Sequence, residues 1–169
     1  RAAVSRIAAK TTGRCSLTAI AENLKKCGFD CKTSDEVKRQ IWTKLFINTA
    51  ASSLTGVLQV SLGFILDDPN ACALMERMAR EAVAVANAEG GASFDEAQVI
   101  ADIKTLLANA HDGYTSIYAD LKNGARTEVD TISGSVVSAA KELGVDVPCH
   151  EMVVALIHAM ENKAAKHIN

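Results

Sequence analysis

With 169 residues, 49% of them hydrophobic and 22% charged, the chain is long enough to bury a real core and suits a single globular domain. A formal net charge of -2 argues against a broad basic footprint for nucleic acid. The longest apolar run, 57–66, is broken by Gln59, Ser61 and Gly63 and is too short to span a bilayer.

Five cysteines, Cys15, Cys27, Cys31, Cys72 and Cys149, are odd in number, irregularly spaced and form no CxxC. No disulfide framework is expected, and a reducing, cytoplasmic setting is. No signal peptide is read. Aromatics are only 4% and alanine is frequent, which favours helix packed closely on helix.

Along the chain, Leu17 to Cys27 reads as an amphipathic helix with Lys25 and Lys26 at its dipole's negative end. Arg6 to Lys10 and Phe29 to Lys32 read as short strands. A strand–helix–strand piece of this size is too small for an independent sheet, so residues 1–34 read as the end of an α/β domain. From residue 35 onward the pattern gives about six or seven helices and no strand. Thr33 to Glu36 and Ser93 to Glu96 read as capping boxes, and Asp68-Pro69 and Pro148 as helix starts. Gly56, Gly63, Gly90-Gly91, Gly124 and Gly144 stand where helices can stop. Three apolar stripes have helical spacing: Val99, Ile100, Ile103, Leu106 and Leu107; Val129, Ile132, Val136, Val137, Ala140 and Leu143; and Met152, Val153, Leu156, Ile157 and Met160.

The helix expected from Val37 to about Leu58 is apolar on most sides and crossed by one polar stripe: Lys44, Asn48, Ser52, Thr55 and Gln59. Spacings of four, four, three and four put these on one face. Apolar flanks suggest that Lys44 is partly enclosed, where lost solvation disfavours the ammonium and makes it a usable proton donor. The same stripe also fits the solvated edge of an amphipathic helix.

A second polar segment runs from Tyr114 to Asp130. Thr127 reads as an N-cap, with Glu128 in the first turn of a helix to Leu143. There Glu128 also fits a carboxylate favoured by the helix dipole, and Ser116 and Asp120 fit a local surface hydrogen bond. Gly134 within that helix costs about 1 kcal/mol relative to alanine and is read as the close approach of another helix. The four histidines show no paired-ligand spacing, so no metal site is expected.

At these segments the chain resembles the ketopantoate reductases (2-dehydropantoate 2-reductases). Trp42-Thr43-Lys44-Leu45-Phe46-Ile47-Asn48 resembles their W-x-K-hydrophobic-x-x-N segment. Thr115-Ser116 to Asp120, Asn123-Gly124, Thr127 to Asp130 and Ser133-Gly134 resemble their second signature, and Glu142 to Pro148 their entry into the last helix. The resemblance covers nearly the whole chain and rests on the order and spacing of these motifs.

It implies an N-terminal Rossmann domain for NADPH and a C-terminal all-α domain of the 6-phosphogluconate dehydrogenase C-terminal-like type. Residues 1–34 would be the tail of the former, and 35–169 the helical substrate-binding and catalytic domain. No GxGxxG or GxxxxGK[ST] occurs, and the first residue is Arg1. The resemblance thus places the glycine-rich turn upstream.

The implied reaction reduces ketopantoate to pantoate on the way to pantothenate. Hydride passes from NADPH to the keto carbon, and a proton reaches the keto oxygen. Lys44 matches the family's proton donor and Glu128 its nearby glutamate, which together form the catalytic pair. Asn48, Ser52 and Ser116 fall at substrate-binding positions. Ser52 stands where the family commonly has an asparagine, and Leu62 where another often precedes the glycine matching Gly63; these departures open the reading to a different 2-keto acid. The expected ligands are NADPH and a small 2-keto acid, with no nucleic acid, no membrane and a homodimer admitted. The chain alone is expected to be inactive. The alternative is a non-catalytic helical dimerisation or interaction module.

Overall fold

The structure is a computed structural model and describes residues 17–30 and 36–166. The strand expected over Arg6–Lys10, together with residues 31–35 of the second strand and first capping box, lies outside the described residues, as do Cys15, Cys31 and His167. Among the described residues the secondary structure is helical with no strand, as expected from residue 35 onward. Phe29 and Asp30, the described part of the second expected strand, are in neither strand nor helix. The chain divides into two compact units, residues 1–41 and 42–169.

In the first unit, α1 (Leu17–Lys26) ends where Gly28 takes φ +85°. The Gly28 amide then donates to Lys25 O and that of Phe29 to Leu24 O, at 2.9 and 3.1 Å. Such a left-handed turn after a helix favours glycine, which has no Cβ to clash.

The division falls inside α2 (Val37–Ile47). A π-helical segment, Asn48–Ser52, and then α3 (Ser53–Leu58) continue the same rod. Next come α4 (Leu62–Asp67), α5 (Pro69–Glu89), α6 (Glu96–Asn109), α7 (Ser116–Lys122), α8 (Ser133–Leu143) and α9 (Pro148–Ala165).

The start signals at the prolines hold. Asp68 caps α5 by accepting from Asn70 N and Ala71 N, and Pro69 and Pro148 occupy first turns. At α6 the cap is Asp95, which accepts from Gln98 N, two residues beyond the serine that heads the expected box. Gly90, Gly124 and Gly144 follow helix ends with positive φ, as expected.

Gly56 and Gly63 instead lie inside α3 and α4. Each marks a close approach. A Cβ on Gly56 would meet the Ile117 side chain of α7, and a Cβ on Gly63 would meet the His111 ring.

The long α5 is the centre of the second unit, packed against the π segment, α4, α6, α8 and α9. Its inward positions are Ala71, Met75, Met78, Ala79, Ala82, Val83, Val85 and Ala86. Alanines let neighbouring helices close in, while the two fully buried methionines fill the remaining gaps; burying each contributes about 1.5–3 kcal/mol. At one end of this core Phe46 stacks on Trp42 and meets Phe94 edge-on, with centroids 4.9 Å apart in the latter pair. Asn87 holds Phe94 there by bonding both its N–H and its carbonyl, at 2.8 and 3.0 Å.

Buried polar groups tie α5 to the start of α9. Glu81 accepts from the backbone amides of Cys149 and His150 at 3.0 and 3.1 Å, and its carboxylate meets His150 Nδ1 at 2.9 Å. Burial pushes this carboxyl up. The bonds from the His150 ring and the two amides outweigh it and hold the group down at about 2. An ionised carboxylate only accepts, so Nδ1 carries the proton.

Three expectations from the sequence are corrected by the structure. Helix α8 begins at Ser133, not near Glu128, and residues 128–132 form a turn. Thr127 therefore caps no helix; its N–H and hydroxyl both donate to Glu161 of α9, at 2.7 and 2.8 Å. Gly134 sits in the first turn of α8 against Val129 O and Asp130, residues of its own lead-in turn and not of another helix.

The apolar stripes also split. Val99, Ile103, Leu107, Val136, Ala140, Val153 and Ile157 are buried, but Leu106, Leu143, Met152 and Leu156 are exposed. A stripe wider than the actual contact leaves its margins in solvent.

Candidate active site

The π segment decides how the expected polar stripe is presented. A π turn carries an extra residue relative to an α turn, which rotates everything downstream by roughly 100°. Lys44, Asn48 and Ser52 precede or occupy the segment. Beyond it, Thr55 is carried inward and fully buried, and Gln59 leaves the helix in a left-handed conformation at φ 55°. The single face expected over five residues is thus three residues long.

Lys44 is exposed, not partly enclosed as its apolar flanks suggested, because the buried Trp42 and Phe46 pack on the opposite side of α2. Asn48 is half-buried, and Ser52 is 8% exposed.

Two hydroxyl contacts join this rod to the second polar segment and to the start of α8. Thr55 Oγ1 lies 2.8 Å from Thr115 Oγ1 and donates to Ser52 O at 3.0 Å. Thr115 caps α7, accepting from Tyr118 N at 3.3 Å. Ser53 Oγ lies 2.8 Å from Ser133 Oγ, and both serines are fully buried. The starts of α7 and α8 are therefore tied to neighbouring residues of one short stretch, 52–55, and the first tie brings Ser116 beside the Ser52 turn. Gly56 lets α7 approach: a Cβ there would also stand 3.3 Å from Leu121 Cδ1.

Glu128 is exposed on the turn that leads into Ser133. It forms no ion pair with Lys44, and Ser116 and Asp120 do not bond to each other through their side chains. The side chains of Lys44, Asn48, Ser52, Ser116 and Glu128 engage no other described residue, whereas Ser53, Thr55, Thr115 and Ser133 around them are all committed. Uncommitted polar groups beside a committed frame are what a small polar ligand needs.

Leu62, on α4, donates its N–H to Gly113 O at 2.9 Å, and Gly63 N donates to His111 O at 2.7 Å. These bonds fix the chain just before Tyr114-Thr115-Ser116. The His111 ring lies over Gly63, with Nε2 3.1 Å from Asp67 and Nδ1 3.3 Å from Asp112. Those hydrogen bonds, Asp112 first and then Asp67, raise its pKa. No group of residues suited to holding a metal is found among the described residues. No described helix is long and apolar enough to cross a membrane.

Sequence reasoning singles out Thr55, Thr115 and Ser133 but misses their pairing, Thr55 with Thr115 and Ser133 with Ser53, because residues 60 and 80 positions apart carry no local signal of contact.

The family model described as ketopantoate reductase PanE/ApbA C terminal matches residues 36–161. The chain belongs to this family. Curated relatives named 2-dehydropantoate 2-reductase include one from Archaeoglobus fulgidus, 27% identical over 143 residues and matching 85% of this chain and 47% of its own length. The Pyrobaculum aerophilum relative is 30% identical over 147 residues, covering 87% of this chain and 52% of itself. The chain thus spans about half the length of the curated relatives it matches.

Among solved structures, a PanE/ApbA family ketopantoate reductase from Ralstonia eutropha superposes with TM-score 0.77 at 29% identity, over 88% of this chain and 49% of that one. The ternary structure of D-mandelate dehydrogenase with NADH and anilino(oxo)acetate superposes with TM-score 0.80 at 26% identity, over 88% and 82%. Both likenesses concern the helical fold of the described residues.

Proposed function

We propose that this chain is the substrate-binding and proton-donating domain of an NADPH-dependent 2-keto acid reductase, with 2-dehydropantoate as substrate and pantothenate biosynthesis as setting. One observation carries the reading. Lys44, Asn48 and Ser116 resemble family motif residues and Ser52 stands at a further motif position, and among the described residues their side chains have no hydrogen-bond or ion-pair partner while the residues that frame them are bonded to one another.

In this reading residues 35–169 form the substrate domain and residues 1–34 close a nucleotide-binding domain. The sequence carries no glycine-rich phosphate turn, so this chain's residues do not fit the cofactor's phosphates.

The chain's own residues act on the acid. The substrate carboxylate and keto oxygen are polar and planar. Asn48 offers amide donors, and Ser52 and Ser116 offer hydroxyls from two elements held together by the threonine pair. Lys44 supplies a positive charge and a proton as negative charge grows on the keto oxygen. Glu128, a carboxylate on a long and exposed side chain, is the group proposed to orient Lys44 when substrate is bound.

Mandelate and 2-dehydropantoate relatives share the 2-oxo or 2-hydroxy acid unit, which supports that unit as the recognised group. Ser52 and Leu62, in place of amide side chains, leave the rest of the acid less firmly specified.

The test is turnover by the protein that carries this chain, with Lys44→Ala compared against wild type. Loss of a general acid lowers kcat by about 10²–10⁴-fold. Unchanged kcat in Lys44→Ala would remove the catalytic assignment.

A further inference from the structure

We infer that Thr115 is a positioning residue: its hydroxyl links the first-turn amide of α7 to the carbonyl of the π segment and so sets the spacing between Ser52 and Ser116. The inference rests on the proposed function, and turns the threonine pair named there into a specific positioning role for Thr115.

Counting hydrogens shows why the link has a direction. A threonine hydroxyl has one proton to give and lone pairs to accept with. Thr55 spends its proton on Ser52 O at 3.0 Å. That arrangement leaves Thr115 to donate in the 2.8 Å contact between the two hydroxyls, the shorter of the two routes open to its proton. With its proton used, Thr115 still accepts from Tyr118 N at 3.3 Å. The result is one continuous chain, Tyr118 N–H to Thr115 Oγ1 to Thr55 Oγ1 to Ser52 O, in which every proton is used once. The direct approach of Thr115 Oγ1 to Ser52 O is longer, at 3.5 Å, and weaker for that reason.

The two ends of this chain are the two places where substrate-binding hydroxyls are proposed. Ser116 follows Thr115 directly, and Ser52 bears the terminal carbonyl. An ordinary N-cap would satisfy Tyr118 alone and leave the π segment independent. Here the cap is also the anchor of the π segment, and Thr55, the link between them, is fully buried, so water does not substitute readily for a lost member. A polar side chain missing from this chain changes where Ser52 and Ser116 stand without touching Lys44.

The experiment pairs kinetics with amide hydrogen exchange on the protein that carries this chain, using ketopantoate as the probe acid. The variants are Thr115→Val, Thr115→Ser, Thr55→Val and the double Thr55→Val/Thr115→Val. Loss of one neutral hydrogen bond predicts a rise in KM of about two- to tenfold for Thr115→Val. The pH profile of kcat is expected to stay unchanged, because the proton donor is elsewhere. Thr115→Ser is expected to restore KM. Thr55→Val is expected to act in the same direction as Thr115→Val, and the double variant to exceed the larger single change little, since both cut one chain. Exchange at the amides of residues 49–56 is expected to quicken in Thr115→Val and not in Thr115→Ser.

Active wild type with unchanged KM in Thr115→Val, or a Thr115→Ser variant as impaired as the valine, overturns the inference. So does unchanged exchange over 49–56. Should Thr115→Val not fold, Thr55→Val and Thr115→Ser make the same comparison. A wild type that turns over no 2-keto acid refutes the functional reading, and substrate positioning with it. That outcome is distinct from the others because it appears before any variant is made.

Discussion

Replacing Glu81 with glutamine keeps the side chain's size and removes its charge, at a carboxylate that receives three hydrogen bonds from the first turn of α9. Holding this carboxyl at about 2 and not the ordinary 4.5 corresponds to about 3 kcal/mol in favour of the ionised form, which screening at the partly open edge of the pair lowers to about 2 kcal/mol. Glutamine keeps one acceptor oxygen and turns an N–H₂ toward a donor, so it does not recover the loss. For a chain of this size about 2 kcal/mol lowers Tm by roughly 4–8 °C.

The pH dependence has a definite sign. A carboxyl whose folded pKa is depressed stabilises the fold above its unfolded pKa, and that stability disappears as pH falls through the folded value. The gap between wild type and Glu81→Gln should therefore be constant above the ordinary 4.5 and shrink between there and about 2. Urea unfolding followed by far-ultraviolet circular dichroism across that range measures it. A variant within about 0.5 kcal/mol of wild type at neutral pH, the scatter of ordinary surface substitutions, would refute the reasoning, as would a gap that does not narrow in acid.

Other predictions concern the site and its supports. Gly56→Ala drives a methyl into Ile117 and should destabilise by about 1–3 kcal/mol, read as a shift in urea midpoint; no shift would mean that α3 and α7 are not in close contact. Because Asp112 and Asp67 raise the His111 pKa, the stability it contributes is complete below 6.5 and declines as pH rises through the folded value. Asp67→Asn should blunt that decline in a pH series of melting temperatures, and an unchanged slope would contradict it. Ser116→Ala should raise KM for the keto acid while leaving the pH profile of kcat in place, and a change confined to kcat would assign Ser116 a different role. The isolated 169-residue chain should oxidise no NADPH in the presence of ketopantoate; measurable oxidation would contradict the domain division proposed.

The helical character of the chain is legible because its apolar spacing is local information. Asp68-Pro69, Pro148 and Gly144 mark helix ends correctly, since each acts through backbone geometry that few residues supply. Gly56 and Gly63 mislead for the complementary reason: a glycine that admits a neighbour is indistinguishable in sequence from one that ends a helix. The π segment is hidden because a pattern reading assumes one residue period throughout, and a single wide turn breaks that period without changing composition. This is why Thr55 is expected beside Lys44 and instead lies buried against Thr115.

Which residues to propose at the site, Lys44, Asn48, Ser116 and Glu128, is legible through motif order and spacing, which are properties of the chain. Their environment is not. Lys44 is exposed among the described residues, and whatever would enclose it depends on contacts that no pattern within α2 encodes. Placing Glu128 similarly requires knowing that α8 starts at Ser133, a boundary with no side-chain capping bond to announce it.

The central claim is tested most directly by steady-state NADPH oxidation by the full protein that carries this chain, across a panel of 2-keto acids that includes ketopantoate and phenylglyoxylate. The account predicts turnover of ketopantoate above the other acids, lowered about 10²–10⁴-fold in Lys44→Ala. Selective turnover of a different 2-keto acid would contradict the proposed substrate while leaving the roles of Lys44 and Ser116 in place, and no turnover of any acid in the panel would contradict the reductase assignment itself.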